Sequence, residues 1–271
     1  MHTLIVVPAR YGSTRFPGKP LAEINGISML RRTARIASSA SAEVEYCDYV
    51  VATDDARIQA HCEAHGLECV MTPNDLKTGS DRALAAADTL QVTNGQSYDR
   101  IINLQGDAPF TPVSHVVSLA KAIDHDVDVA TPYIQLSWDA LEALRRHKVE
   151  TPFSGTTVIV DPNGRAVWFS KNIIPAIRKE DQLKQGDSLS PVNRHIGLYA
   201  YKRKALEAFT QCDESYYEKL EGLEQLRIIE NGMTIECVHV NPPKIATSGI
   251  DSPSDLAMAE ELIAKYGDPY T

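Results

Sequence analysis

A chain of 271 residues can bury a sizeable core, and α/β domains of about 250 residues are common, so a single domain with lobes is the expected organisation. With 43% hydrophobic and 23% charged residues the composition is that of a globular protein, the net charge of -9 excludes a basic nucleic-acid-binding surface, and no apolar run approaches the roughly 18 residues of a membrane span. Five cysteines, widely spaced and without C-x-x-C pairs, make neither a disulfide framework nor a zinc pattern; together with an N-terminus that enters a strand directly, without a signal peptide, they point to a reducing cytoplasm.

In chain order, Leu4-Ile5-Val6-Val7 has the length and branching of a buried strand. It runs into Pro8 to Pro20, P-A-R-Y-G-S-T-R-F-P-G-K-P, where Gly12, Pro17, Gly18 and Pro20 forbid a regular element and Arg10, Arg15 and Lys19 concentrate positive charge. Glycine lets backbone N–H groups approach a ligand, and guanidinium and ammonium groups suit a triphosphate, so this loop reads as a phosphate cradle. A Gly/Pro loop with solvated charges is the plain alternative. The loop has neither G-x-x-x-x-G-K-[ST] nor G-x-G-x-x-G, which removes the usual support for a P-loop or dinucleotide site.

Ile24-Asn25-Gly26 is a turn and Ser28 to Ala37 an amphipathic helix. Tyr49 to Thr53 is a buried strand ending in Asp54-Asp55, followed by a helix from Ala56 to His65 and a short strand from Glu68 to Met71. Ser80 or Asp81 can cap a helix through Ala83 to Ala87. Arg100 to Leu104 is the next strand, ending in Gln105-Gly106-Asp107-Ala108-Pro109. This alternation implies a doubly wound sheet with ligands beyond the carboxyl ends of its strands, the edge where Arg10, Asp54, Gly79 and Asp107 fall.

From about Leu136 the rhythm changes. Trp138 to Val149 reads as a charged helix, and Thr156 to Val160 and Ala166 to Phe169 as strands joined by the turn Asp161-Pro162-Asn163-Gly164, an added antiparallel lobe. Residues 179–192 read as a polar excursion, His195 to Tyr201 as a strand, Leu220 to Asn231 as a helix, Ile235 to Val240 as a strand and Ser254 to Lys265 as a terminal helix. On a single strand, His195, Gly197 and Tyr199 share one face. Glu224, Gln225 and Arg227 read equally as a solvated helix face or as ligand contacts. Taken alone, Asp107 fits a turn carboxylate and Asp251 a helix cap.

The pattern R-x-x-S-x-R-x-P-x-K, carried by Arg10, Ser13, Arg15, Pro17 and Lys19, resembles the signature loop of the CMP-sugar synthetases. Further segments in order resemble the 3-deoxy-manno-octulosonate (KDO) cytidylyltransferases, or CMP-KDO synthetases: Val51-Ala52-Thr53-Asp54, Gly79-Ser80-Asp81-Arg82, Asn103-Leu104-Gln105-Gly106-Asp107, Arg194 to Tyr201 with Leu223 to Arg227, and T-x-G-I-D-x-P-x-D-L from Thr247 to Leu256. The resemblance runs nearly end to end. It departs at Ala108, where the family has Glu, at Lys171 in place of an arginine, and at Thr156-Thr157, where the family carries a lysine.

The resemblance implies a Rossmann-like doubly wound mixed sheet of the nucleotide-diphospho-sugar transferase type with an inserted antiparallel lobe, a nucleotide-binding half at 1–135 and a sugar-binding and dimerisation half at 136–271. It implies that CTP and a 3-deoxy-2-ulosonic acid give CMP-sugar and pyrophosphate for surface polysaccharide synthesis, in a Mg²⁺-dependent cytoplasmic homodimer. By position, Arg10, Arg15 and Lys19 are catalytic; Ala9, Ser13, Gly79, Ser80, Asp81 and Arg82 hold the nucleotide; Gln105, Lys171, Arg178, His195, Tyr199, Glu224 and Gln225 hold the sugar; Asp107 and Asp251 hold the metal. The expected sugar is KDO or a modified KDO such as 8-amino-KDO, the departures favouring the amino sugar because they thin the cations of the sugar site and add hydroxyls. A sialate-type CMP-sugar synthetase and a catalytically weak nucleotide-sugar-binding protein are the alternatives.

Overall fold

The structure is a computed structural model describing residues 1–12, 16–123, 126–245, 249–250 and 252–270; Ser13, Arg15 and Asp251 of the expected site lie outside the described residues. In chain order the elements are β1 (Thr3–Ala9), β2 (Glu23–Ile24), β3 (Ile27–Ser28), α1 (Met29–Ala42), β4 (Cys47–Thr53), α2 (Ala56–Ala64), β5 (Cys69–Met71), α3 (Gly79–Asn94), β6 (Arg100–Asn103) and α4 (Val113–Ala122). There follow β7 (Val129–Ser137), α5 (Trp138–Glu150), β8 (Thr157–Val160), β9 (Ala166–Ser170), α6 (Glu180–Gly186), β10 (Leu189–His195), β11 (Tyr199–Lys202), α7 (Arg203–Gln211), α8 (Tyr216–Glu221), α9 (Gln225–Glu230), β12 (Ile235–His239) and α10 (Pro253–Tyr266).

The chain forms two compact units, each assembled from separated stretches: residues 1–121, 198–210 and 242–271 in the first, 122–197 and 211–241 in the second. In the first unit the sheet order is β5-β4-β1-β6-β11, with β5, β4, β1 and β6 parallel and β11 antiparallel to β6. Leu4 to Val7 are fully buried, as a central parallel strand covered on both faces requires. The chain winds outward from β1 to β4 and β5, then returns to place β6 on the other side of β1. That reversal opens a crevice beyond the carboxyl ends of β1 and β6.

Asn25 and Gly26, at φ 48° and 72°, form the two-residue turn between β2 and β3, a geometry that an Asn-Gly pair adopts readily. Ile24, Met29, Phe110, Ile250, Ala259 and Ile263 form one apolar cluster that seats α10 in the first unit. Arg32, nearly fully buried, ties the C-terminal segment down with bonds of 2.7 and 2.9 Å to the Asp268 carboxylate.

In the second unit β7 pairs with β10 antiparallel and with β12 parallel, and β10, β8 and β9 continue as an antiparallel ribbon. Leu136, Leu141, Leu144 and Val192 pack α5 onto this sheet. The expected excursion at 179–192 is instead α6 followed by most of β10, because Ser190 and Val192 are fully buried and hold the segment in the sheet. The expected single strand from His195 to Tyr201 is broken: His195 ends β10 and Tyr199 opens β11 in the other unit, so the two do not share a strand face. The helix expected at 220–231 is likewise two, α8 and α9, parted where Gly222 takes φ 62°. No helix among the described residues is long and apolar enough to cross a membrane.

Candidate active site

The crevice of the first unit gathers residues from three strand ends. Ala9 closes β1 in register with Thr53, and Arg10 follows it, its guanidinium 3.4 Å from the carbonyl of Lys77 just before α3. The basic loop closes on itself where the Gly18 amide donates to the Tyr11 carbonyl at 2.9 Å. Gly18 has φ 72°, and a Cβ there would sit 3.2 Å from the Tyr11 ring, so both conformation and space call for glycine. Lys19 then begins a 3₁₀ turn, and its ammonium lies 2.7 Å from the Asp107 carboxylate.

Asp107 reaches that position because the chain after β6 is held against β1. The Leu104 amide donates to Val6 O at 2.9 Å, and a Cβ on Gly106 would lie only 2.6 Å from Pro8 O. The Ile250 amide donates to the Asp107 carbonyl at 3.2 Å.

Helix α3 starts at Gly79, capped by Thr78 and not by Ser80 or Asp81. The Asp81 amide donates to Thr78 Oγ1 at 3.1 Å, and the Asp81 carboxylate accepts from the Thr78 amide and hydroxyl at 2.9 Å each. Asp81 is therefore engaged in the cap and offsets the positive helix end. A Cβ on Gly79 would lie 3.4 Å from the carboxamides of both Asn103 and Gln105, which puts the start of α3 against the end of β6. Ser80 is buried. Arg82, expected to hold the nucleotide, is 1% exposed, and its guanidinium is bonded to Asp54 at 2.7 Å and to Thr72 at 2.5 Å. These bonds tie the segment after β4 to α3.

The sugar-site candidates fall on both units. Gln105 and the half-buried Tyr199 belong to the first unit; Lys171, Arg178, His195, Glu224 and Gln225 belong to the second. His195 is buried, with Nε2 2.8 Å from Thr131 Oγ1 and its ring edge-on to Phe169 at 5.0 Å. Burial pushes its pKa down to about 3, so this imidazole is neutral at physiological pH. Gln225 and Arg227 are buried, and Arg227 forms a bidentate pair with Glu218 at 2.8 and 2.5 Å, so that helix face is not solvated. Arg178 is exposed.

Around Lys171 the arrangement corrects the expected thinning of charge. The Thr157 hydroxyl is fully buried; it donates to Asn172 O at 2.7 Å and accepts from the Ile174 amide at 3.2 Å, so it offers nothing to a ligand. A further cation stands close by, on another element. Lys148, near the end of α5, points its ammonium at the carbonyls of Gly155 (2.9 Å) and Lys171 (2.5 Å), with Ser154 O a further acceptor. Its pKa is lowered by burial and by the positive charges of Lys171 and Arg194. In the sequence Lys148 looks like any cation in a last helical turn, and Arg194 stands out only as part of a motif.

A family model described as cytidylyltransferase matches residues 4–235. The chain belongs to the cytidylyltransferase family. This cytidylyltransferase is 40% identical over 270 residues to a 3-deoxy-manno-octulosonate cytidylyltransferase of Maricaulis maris, covering 99% of both chains. It is 35% identical over 263 residues to a protein of the same description from Polynucleobacter necessarius, covering 97% of this chain and 96% of that one. Among solved structures, a CMP:2-keto-3-deoxy-manno-octonic acid synthetase complexed with CTP matches with a TM-score of 0.80 at 32% identity, over 98% of this chain and 99% of the other. The mixed α/β fold expected from the sequence is the fold of that synthetase.

Proposed function

We propose that this cytidylyltransferase transfers the cytidylyl group of CTP to the anomeric hydroxyl of 3-deoxy-manno-octulosonate, releasing pyrophosphate, as a step toward lipopolysaccharide. The observation that carries this reading is the 2.7 Å contact of Lys19 with Asp107 at the crevice between β1 and β6, a phosphate-seeking cation beside a metal-seeking carboxylate. The reaction needs no covalent enzyme intermediate. The hydroxyl oxygen forms the new bond to the α-phosphorus, the bond from that phosphorus to the bridging oxygen breaks, and the hydroxyl proton is lost.

Charge accumulates on the α-phosphoryl oxygens and the leaving pyrophosphate, and cations held in advance stabilise it. Arg10 and Lys19 suit that task, and Arg15 and Ser13 belong to the same loop. The start of α3 is already offset by Asp81, so it favours the neutral base and ribose over phosphate, with Ala9, Gly79 and Ser80 around them. Asp107 beside the phosphate-seeking Lys19 fits a carboxylate ligand of Mg²⁺, with Asp251 the proposed second ligand by the family resemblance; when bound, Mg²⁺ would polarise the phosphoryl group. Lys171, Arg178, His195, Tyr199, Glu224 and Gln225 are the proposed sugar contacts.

The 8-amino variant loses the support of Thr157, whose hydroxyl is occupied, and of a thinned cation set, which Lys148 restores. Unmodified KDO is therefore the proposed sugar. Exposed Val167, Tyr216 and Leu220 in the second unit are apolar surface of the kind that partner contacts cover, in keeping with a homodimer through that lobe. Pyrophosphate release measured with each nucleoside triphosphate, with Mg²⁺ and with KDO, 8-amino-KDO and sialic acid tests the reading. CTP with KDO is expected to give the highest kcat/KM, and a sialate preference would refute the sugar assignment.

A further inference from the structure

Two adjacent carboxylates, Asp54 and Asp55, follow β4 in the first unit, and each is committed to an arginine. Asp54 holds the buried Arg82. Asp55 caps α2 and holds Arg57: its Oδ1 accepts from the Arg57 amide and Nε at 2.9 Å each, and its Oδ2 accepts from Nη2 at 2.6 Å. The Asp55 amide donates to the hydroxyl of the fully buried Thr53 at 3.2 Å, so the acid is itself fixed to the end of β4. A two-point fork sets the plane of a guanidinium, and this one faces the Tyr11 ring, with Cζ 3.3 Å from the ring centroid. The same ring lies beside Gly18, whose amide donates to the Tyr11 carbonyl. Tyr11 follows Arg10 and Gly18 precedes Lys19, so the pair that closes the neck of the basic loop carries a cation on each flank.

The Arg57 side chain is 60% exposed, and an ion pair in water contributes little to stability, so its bond to Asp55 matters for where it points the guanidinium. We propose that Arg57 is a positioning residue for cytidylyl transfer: aimed by Asp55, it lies on the Tyr11 ring and holds the neck of the basic loop, which sets Arg10 and Lys19 for the triphosphate. This rests on the reading of that loop as the phosphate cradle. A loop whose neck opens presents its cations together for a smaller fraction of the time, and the apparent affinity for the nucleotide falls by that fraction. An exposed contact of a cation with an aromatic face supports a change of about fivefold, equivalent to about 1 kcal/mol. Asp54 and Asp55, neighbours in the chain, thus fix two different parts of the crevice wall, one through a buried arginine and one through an exposed arginine.

The test follows pyrophosphate release from CTP and KDO by full-length Arg57→Gln, Arg57→Lys, Tyr11→Leu and Tyr11→Phe, with urea midpoints alongside. Arg57→Gln and Tyr11→Leu are each expected to raise the KM for CTP by about three- to fivefold, with kcat and the KM for KDO within about twofold. Tyr11→Phe keeps the ring and is expected to keep most of the CTP affinity; Arg57→Lys keeps the charge without the fork and is expected to fall between. The double variant Arg57→Gln/Tyr11→Leu is expected to do no more harm than the worse single one, because both remove the same contact. An unchanged KM for CTP in Arg57→Gln overturns the proposal, as does a double variant whose losses multiply. Equal rises in the KM for CTP and for KDO, or failure to fold, would show a general loosening and overturn it too. Lys19→Ala in the same assay separates the two levels: lost turnover there beside an unaffected Arg57→Gln leaves the cradle standing without this support, whereas normal turnover sinks cradle and support together.

Discussion

The ammonium of Lys19 lies 2.7 Å from the carboxylate of Asp107, joining the loop after β1 to the segment after β6. Neither group is fully exposed, at 14% and 36%, so the pair sits in the crevice where the winding of the sheet reverses. Its partners are the two group types that nucleotidyl transfer needs in one place. Lys19→Ala is expected to lower kcat by about a hundredfold, the scale of losing one electrostatic stabiliser, while changing the urea midpoint little. Rapid-quench single turnover with CTP and KDO measures it, and a near-normal chemical step would remove Lys19 from the mechanism.

Gly106 is tested by adding one methyl group. A Cβ there would meet the Pro8 carbonyl at 2.6 Å, and backbone on both sides leaves no flexible group to yield. Gly106→Ala is expected to cost about 1 to 3 kcal/mol in urea unfolding and to weaken CTP binding, because Asp107 moves with the displaced segment. A fully stable variant with normal CTP affinity would show that this close approach is not required.

Local periodicity in the sequence accounts for part of this arrangement. The strand run Leu4 to Val7, the turn at Asn25-Gly26 and the strand ends carrying Arg10 and Asp107 followed from local pattern, and the structure brings those ends to one sheet edge. The segment at 179–192 did not: its polar composition reads as a loop, while burial of Ser190 and Val192, a tertiary effect, makes strand of its second half. Arg82 shows the same limit at the site, since its motif pointed to the nucleotide and its bonds to Asp54 and Thr72 point inward. Lys148 could not be placed from spacing at all, because its acceptors at Gly155 and Lys171 come together only through the packing of α5 and the ribbon.

Arg82→Met separates those two readings of Arg82. Breaking its nearly buried pair with Asp54 is expected to cost about 3 kcal/mol of stability. In protein that remains folded at low temperature, kcat is expected to hold within about threefold, the scale of changes away from the reacting groups. Unchanged stability with a large rise in the KM for CTP would restore the direct nucleotide contact.

His195 gives a pH prediction with a definite sign. Its folded pKa, about 3, lies below the ordinary 6.5, so the unfolded chain binds the extra proton more readily. Its contribution to stability is full above about pH 6.5 and declines as pH falls toward 3, by at most about 1.4 kcal/mol per unit. Urea midpoints of the wild type and His195→Asn between pH 7 and 4.5 test this. The wild type is expected to lose stability more steeply on acidification, and parallel curves would show that His195 is not buried neutral.

Transfer of a cytidylyl group can be watched by ³¹P NMR of the wild-type protein with CTP, Mg²⁺ and KDO. The expected result is loss of the CTP resonances with stoichiometric appearance of pyrophosphate and one sugar phosphodiester. Release of CDP with a phosphorylated sugar, or of pyrophosphate and free CMP without any phosphodiester, would contradict it.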